Sequence, residues 1–319
     1  MAVILCSWGD VVEGGTEEAL TLASQFSAAA GVDLDWVVVG GMAAAAQELA
    51  ERYGVAHLDT IADAKLENYG PDALVAAFAQ YCEQYKPQTI FFNQTAPARL
   101  IAPRLAGRLG IPVVANGIGL ELDGGTLKVT ATAFGGDTHV LYELAEPVNI
   151  VSLVTTAIDA EPAAQASSPQ RRDVSVDLGA VEERFKVTSA ASATGPRLED
   201  ADIIVAGGRG LGSPDNYNTL IKGLAEALGG MHGGSRVIVD EGWIDSTHQV
   251  GLTGKITRPG LYLAAGISGA SQHMAGCSAA KTIVAINKDK DASIYRYARY
   301  GIVADCLEVL PELIKAAKA

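Results

Sequence analysis

The chain has 319 residues, of which 49% are apolar and 19% charged, with 35 Gly and 12 Pro, a composition that excludes disordered and fibrous classes. Lys and Arg total 24 against 37 Asp and Glu, a net charge of −13. No basic run is present that could track a phosphate backbone, so nucleic acid is not an expected partner.

That length accommodates two domains, each able to bury a core. Residues 1–191 carry 11 basic and 24 acidic side chains, and residues 192–319 carry 13 of each. The second part is therefore where an anionic ligand is repelled least. Cys6, Cys82, Cys277 and Cys306 form no CxxC pair, which argues against a zinc site or a disulfide framework and for free thiols in a reducing compartment. No apolar run reaches the roughly 20 residues a membrane span needs. Ala2-Val3-Ile4-Leu5 reads as a short strand, not a signal peptide. A cytoplasmic location is the expectation.

In chain order, strand-like and helical patterns alternate over Ala2–Cys6, Thr16–Ala30, Asp35–Val39, Met42–Tyr53, Pro71–Tyr85, Thr89–Asn93 and Ala98–Leu109. Such alternation predicts parallel strands with crossover helices. Leu74, Val75, Phe78, Tyr81 and Cys82 recur at helical spacing behind Pro71, which suits a first helical turn. Beyond Ile111, Leu127–Phe134 and Thr138–Leu144 read as antiparallel strands of a mixed sheet, followed by a strand at Val148–Thr155. Asp159–Asp173 reads as an exposed connection and Val174–Thr188 as the last element of the first domain. The soft run Ser189–Pro196 places the boundary, giving domains 1–190 and 191–319.

The second domain alternates again: strands at Asp202–Ala206, Arg236–Asp240, Leu261–Ala264, Thr282–Ile286 and Ile302–Asp305, and helices at Asn216–Leu228, Gly269–Cys277, Ser293–Tyr300 and Leu310–Ala317. The predicted fold is α/β, two domains each with a mostly parallel sheet flanked by helices, the second doubly wound and Rossmann-like. Ligands of such sheets sit at the carboxyl ends of strands. Four of those ends carry glycine or small polar residues: 207–212, 233–236, 266–273 and 287–289. Glycine permits close backbone approach, and helix starts favour anions.

Generic motifs fail. Gly207-Gly208-Arg209-Gly210-Leu211-Gly212 lacks GxGxxG spacing, and Gly251-Leu252-Thr253-Gly254-Lys255-Ile256 ends in Ile where a P-loop has Ser or Thr. His232-Gly233-Gly234-Ser235 is spelled like an esterase oxyanion loop, which opens a hydrolase alternative using Ser235. That alternative needs a GxSxG elbow, and Gly266-Ile267-Ser268-Gly269-Ala270 lacks the last glycine. Ser268–His273 enters a predicted helix whose first N–H groups could receive a pyrophosphate. His273 is a candidate donor to a ligand carbonyl.

The run of Gly207–Gly210, Gly234-Ser235-Arg236 with Asp240, Gln249–Lys255, Leu261-Tyr262, Gly266–Gly276, Ala285–Asp289 and Tyr300–Asp305 resembles the alpha subunit of electron transfer flavoprotein. The order and spacing agree across about 125 residues, whereas the first domain resembles the family more loosely, through Pro103–Asn116 and Phe134-Gly135-Gly136. The resemblance implies a FAD-binding carboxyl-terminal domain and an amino-terminal domain that packs on a separate beta subunit, which itself holds AMP or a second FAD. It implies an electron carrier, taking electrons from a flavin dehydrogenase such as an acyl-CoA dehydrogenase and passing them to a quinone oxidoreductase or another acceptor. A non-redox binding or assembly protein of the same fold is the alternative.

By the same resemblance, Arg209, Ser235 and Arg236 contact the flavin, with Arg236 near the isoalloxazine ring. Val250, Gly251, Leu252 and Thr253 form the loop beside the ring, Thr253 near N5. Ser268, Gly269, Ala270, Ser271, Gln272 and His273 serve the pyrophosphate and the flavin O2, and Asn287, Asp305 and Cys306 serve the AMP end. A cation and a donor beside the ring would favour negative charge on it, at about 59 mV per ~1.4 kcal/mol for one electron. Leu252, Ser271, Ser293 and Arg299 depart from the residues usual in the family, Leu252 by removing a polar side chain beside the flavin.

Overall fold

The computed structural model describes residues 2–134, 138–145, 148–155, 158–185 and 197–318. The boundary expected at 190/191 lies outside the described residues. The chain divides into two compact units, one built mainly from residues 2–185 and one from 197–318. No described helix is long and apolar enough to cross a membrane.

In the first unit the chain runs β1 (Ala2–Trp8), α1 (Thr16–Ala30), β2 (Asp33–Val39), α2 (Ala43–Arg52), β3 (His57–Ile61), α3 (Pro71–Tyr85), β4 (Thr89–Asn93), α4 (Ala98–Leu109), β5 (Val113–Asp123), β6 (Thr126–Ala133), β7 (Thr138–Leu144), β8 (Asn149–Leu153) and β9 (Gln170–Val174). These strands form one sheet in the order β7-β6-β5-β8-β4-β1-β2-β3-β9. From β5 through β8 to β9 the pairs are parallel, and β5 and β6 are antiparallel. Side chains alternate across a strand, so successive residues feed different cores. Ile4 and Cys6 join the core covered by α3 and α4, while Val3 and Leu5 join the one covered by α1 and α2. Helix ends follow local chemistry: Pro71 opens α3, and Gly31 (φ +66°) and Gly110 (φ +67°) take the left-handed positions that close α1 and α4.

β9 overturns two expectations. It makes a strand of part of the stretch read as an exposed connection, and it is the last strand among this unit's described residues; beyond it, residues 175–185 form no helix or strand, and the end of the element expected over 174–188 lies outside the described residues. Its polar sequence QRRDV is held by buried charge. Arg172 donates to both oxygens of Asp59 (2.6 and 2.6 Å) and to Asp35 (2.8 Å), and its guanidinium lies over the Tyr85 ring. Tyr81 donates to Asp59 as well, and His57 Nδ1 lies 2.7 Å from Asp35. Asp59 has no exposed surface. Arg172 and Asp59 are register partners across β9 and β3.

The second unit runs β10 (Ile203–Gly207), α5 (Pro214–Asn216), a π-type turn at Tyr217–Ile221, α6 (Lys222–Ala227), β11 (Met231–Gly234), α7 (Arg236–Asp240), β12 (Leu261–Ala265), α8 (Ser271–Met274), β13 (Thr282–Ile286), β14 (Tyr300–Ile302) and α9 (Cys306–Ala317). Its sheet order, β11-β10-β12-β13-β14, is all parallel. Strand order therefore reverses between β10 and β12, the place where doubly wound sheets open a crevice at their carboxyl ends.

Arg236–Asp240 is a helix, not the predicted strand. The strand beside β10 is Met231–Gly234, paired from Ile204↔Met231 to Gly207↔Gly234. Only Ile238 of the Val-Ile-Val run is buried, and Val237 is largely exposed. The helix expected over Gly269–Cys277 contracts to Ser271–Met274, and the one expected over Ser293–Tyr300 to a single turn at Ser293–Arg296. All four cysteines are buried and free.

Candidate functional site

A cleft of about 900 Å³ opens at the carboxyl ends of the second unit's strands. That is toward the upper end of the roughly 300–1,000 Å³ spanned by small-molecule and cofactor sites. Arg209 and Gly210 follow β10, Ser235 and Arg236 follow β11, Ile267 and Ser268 follow β12, and Asn287 and Lys288 follow β13, so four strand ends supply the walls. Fourteen of the sixteen residues expected at the site line it: Arg209, Ser235, Arg236, Val250, Gly251, Leu252, Thr253, Ser268, Ala270, Gln272, His273, Asn287, Asp305 and Cys306.

Gly269 and Ser271 do not line it. Gly269 has φ +83°, and a Cβ there would strike the Ile294 backbone, so glycine is required for packing. The same holds for the glycines of the first loop. A Cβ on Gly208 or Gly210 would enter the backbone of Gly266, which itself sits at φ +65°. These residues let the loops after β10 and β12 touch, sealed by Gly210 N–H to Gly266 O at 3.1 Å. Close approach is indeed what the glycines permit, but the partner is the neighbouring loop.

The loop 249–255 is braced from within. The Gln249 carbonyl accepts from Lys255 N–H (2.7 Å), and Leu252 N–H donates to the Gln272 carbonyl (2.7 Å). The buried Gln249 amide donates to Thr253 Oγ1 at 3.0 Å. An amide nitrogen only donates, so the Thr253 hydroxyl keeps its own hydrogen for another acceptor. Gln249 and Lys288 line the cleft without having been assigned to it from sequence, although both sit inside quoted motifs, next to Val250 and Asn287.

Charge at the cleft is mixed. Arg236 meets Asp240 at 3.2 Å, both well exposed. Among the described residues no carboxylate pairs with Arg209 or Lys288, while Asp289, Asp291 and Asp305 also reach the lining. The side chains of Asn287 and Asp305 serve the backbone: Asn287 donates to the Ile267 carbonyl and accepts from Asp289 N–H, and Asp305 caps α9 through Leu307 N–H. The Cys306 thiol points to the Gly210 carbonyl at 3.7 Å. The N–H groups of Ala270, Ser271 and Gln272 meet no acceptor among the described residues.

His273 is 7% exposed, and Nε2 lies 3.0 Å from the Tyr262 hydroxyl. Nδ1 is buried with no hydrogen-bond partner among the described residues. Burial lowers its pKa to about 4; the Val250 backbone pulls the other way without meeting hydrogen-bond geometry. The ring is thus neutral near pH 7, and a cleft-wall residue with an orphaned buried polar atom fits a site that a ligand completes. Ser235 Oγ, by contrast, has no histidine partner: His232 Nδ1 meets the Tyr217 hydroxyl, and His248 Nδ1 the His232 carbonyl. A nucleophile without a base in reach does not support the hydrolase alternative.

Residues 197–278 match the family model of the electron transfer flavoprotein FAD-binding domain, and residues 9–178 that of the electron transfer flavoprotein domain. The chain belongs to the electron transfer flavoprotein alpha-subunit family. An electron transfer flavoprotein subunit alpha of Thermoanaerobacterium thermosaccharolyticum is 43% identical over 261 residues, 79% of this chain and 78% of its own. A FixB protein of Clostridium saccharobutylicum is 36% identical over 292 residues, covering 90% and 87%. The alpha subunit of Bacillus subtilis is 36% identical over 273 residues, covering 86% and 83%. The family's FAD-binding segment contains the cleft walls after β10, β11 and β12. Asn287, Asp305 and Cys306 lie beyond its end at residue 278.

Proposed function

We propose that the cleft of the second unit holds FAD and that the chain carries electrons between a flavin dehydrogenase, such as an acyl-CoA dehydrogenase, and a quinone oxidoreductase or other acceptor. The observation that supports this best is the orphaned Nδ1 of His273 in a cofactor-sized cleft at the β10/β12 switch point. FAD, when bound, supplies the redox chemistry, and the protein supplies position and field.

In this reading the N–H groups of Ala270 and Gln272 and the guanidinium of Arg209 receive the pyrophosphate. Arg236, Thr253 and His273 flank the ring: Arg236 contributes positive charge, Thr253 the hydrogen left free by Gln249, and His273 the unpartnered nitrogen. Ser235 and Val250–Leu252 pack beside it, and Leu252 leaves an apolar edge at the mouth. Asn287, Asp305 and Cys306 shape the AMP end through the backbone they hold. Gly269 and Ser271 support this wall from behind. The first unit packs on a beta subunit that holds AMP or a second FAD.

Co-expression with that subunit, followed by a flavin count and an absorption spectrum, tests the reading. One flavin with AMP per heterodimer indicates simple transfer, and two indicate bifurcation. A colourless heterodimer that takes up no FAD on reconstitution would refute it and favour the non-redox assembly alternative.

A further inference from the structure

Tyr262 and Cys277 lie behind the cleft wall in the core of the second unit, both fully or almost fully buried, and neither lines the cleft. Together with His273 they form a closed set of donors and acceptors. The Tyr262 hydroxyl is 3.0 Å from His273 Nε2, the Cys277 thiol is near enough to act on the phenol electrostatically, and Cys277 Sγ lies 3.7 Å from the His273 carbonyl. Every polar hydrogen in such a place needs an acceptor.

Two arrangements are available. If His273 carried its proton on Nε2, it would donate to Tyr262, and the phenol would have to donate to sulfur, a weak acceptor. Nδ1 would then be a bare lone pair buried without a donor. With Nε2 bare, the phenol donates to it, a far stronger acceptor than sulfur, and the thiol donates to the His273 carbonyl. A single hydrogen is then left over, on Nδ1, at the ring's remaining polar edge. The second arrangement pairs the phenol and the thiol with good acceptors and leaves only the Nδ1 hydrogen to be taken up.

Resting on the reading that the cleft holds flavin, we infer that Tyr262 is a positioning residue: it holds His273 as the tautomer protonated at Nδ1, giving the cleft a fixed neutral donor for an acceptor atom of the ring. The protonation states of the set agree with this. Burial lowers His273 to about 4, raises Cys277 to about 12 and raises Tyr262 strongly, so all three are neutral across the physiological range. Tyr217 and the Val250 backbone are the other groups that act on the set.

Long-range proton–nitrogen spectra of the full chain, labelled with nitrogen-15 at histidine, test the inference without reference to flavin. His273 is assigned by the signal that His273→Gln removes. The expected pattern is a pyrrole-type Nδ1 and a pyridine-type Nε2 in the native chain, moving toward a tautomer mixture in Tyr262→Phe. In the flavin-loaded protein, the same substitution should lower the potential at unchanged flavin stoichiometry. A pyridine-type Nδ1 in the native chain, or an unaltered pattern in Tyr262→Phe, overturns the proposal. If Tyr262→Phe does not fold, the native spectrum decides alone. A preparation that binds no flavin refutes the functional reading instead, and leaves the nitrogen pattern to judge the tautomer.

Discussion

Gly210→Ala links packing to cofactor retention. The new Cβ would lie 2.7 Å from Gly266 Cα and 2.9 Å from its carbonyl oxygen, and backbone cannot swing aside as a flexible side chain can. Gly266 cannot retreat by changing conformation cheaply either, since it is already at φ +65°. Overpacking of this kind costs about 1–3 kcal/mol. The strain is relieved by parting the two loops, both of which line the cleft, so it should appear in flavin affinity as a roughly 5- to 150-fold weaker dissociation constant. Gly223→Ala is the control: its Cβ, on α6, would meet Ile314 Cδ1 of α9 at 3.7 Å, an ordinary contact. Fluorescence titration of the flavin-free chain with FAD, paired with a thermal melt, reads both. The reasoning fails if Gly210→Ala binds within twofold of the native chain and melts at the same temperature, or if Gly223→Ala weakens binding as much.

Arg172→Met should destabilise the first unit by about 3–5 kcal/mol at pH 7, because it leaves the buried carboxylates of Asp35 and Asp59 without their cation. The deficit should shrink at pH 5, as the stranded carboxyls acquire raised pKa values and become neutral; equal losses by urea titration at both pH values would contradict this. Native stability should also fall on acidification through the second unit's histidines. His232 and His273 have folded pKa values lowered to about 4 from 6.5, chiefly by burial, so the unfolded chain binds the extra protons between those values. Their contribution is fully present above pH 6.5, is lost progressively down to pH 4, and is level below. His232→Gln should flatten that slope in urea midpoints, and an unchanged slope would remove the assignment.

Elements with strong local punctuation were legible in the sequence. α1, α3, β4, α4 and β13 occupy the residues their patterns predict, because the apolar spacing of each agrees with its ends, as at Pro71 and Gly110. What escaped was set at a distance. Val237-Ile238-Val239 has strand chemistry, but the place beside β10 belongs to Met231–Gly234, so the run forms a turn of helix instead. β9 escaped because Arg171, Arg172 and Asp173 look solvated, and only Asp35 and Asp59, more than a hundred residues earlier, draw Arg172 in and make an edge strand of them. At the cleft, residues projecting from strand ends were readable from their motifs. Gly269, assigned to the ligand from its motif, stands off the cleft lining against Ile294, and a glycine needed for packing and a glycine needed for a ligand look identical in sequence. Gln249 was overlooked because its use lies in a hydrogen bond to Thr253 that spacing alone does not reveal.

The bond between Asp59 and Arg172 spans 113 residues, which bears on how the protein is made. At about 5–20 residues per second, a translating ribosome takes roughly 6–23 s to deliver the guanidinium after the carboxylate. Throughout that interval the edge of β3 is open for pairing, and Asp35 and Asp59 lack the guanidinium that joins them. Stalled nascent chains ending before Gln170 should therefore be digested readily and captured by chaperones, and those extending past Val174 by a tunnel's length should become resistant.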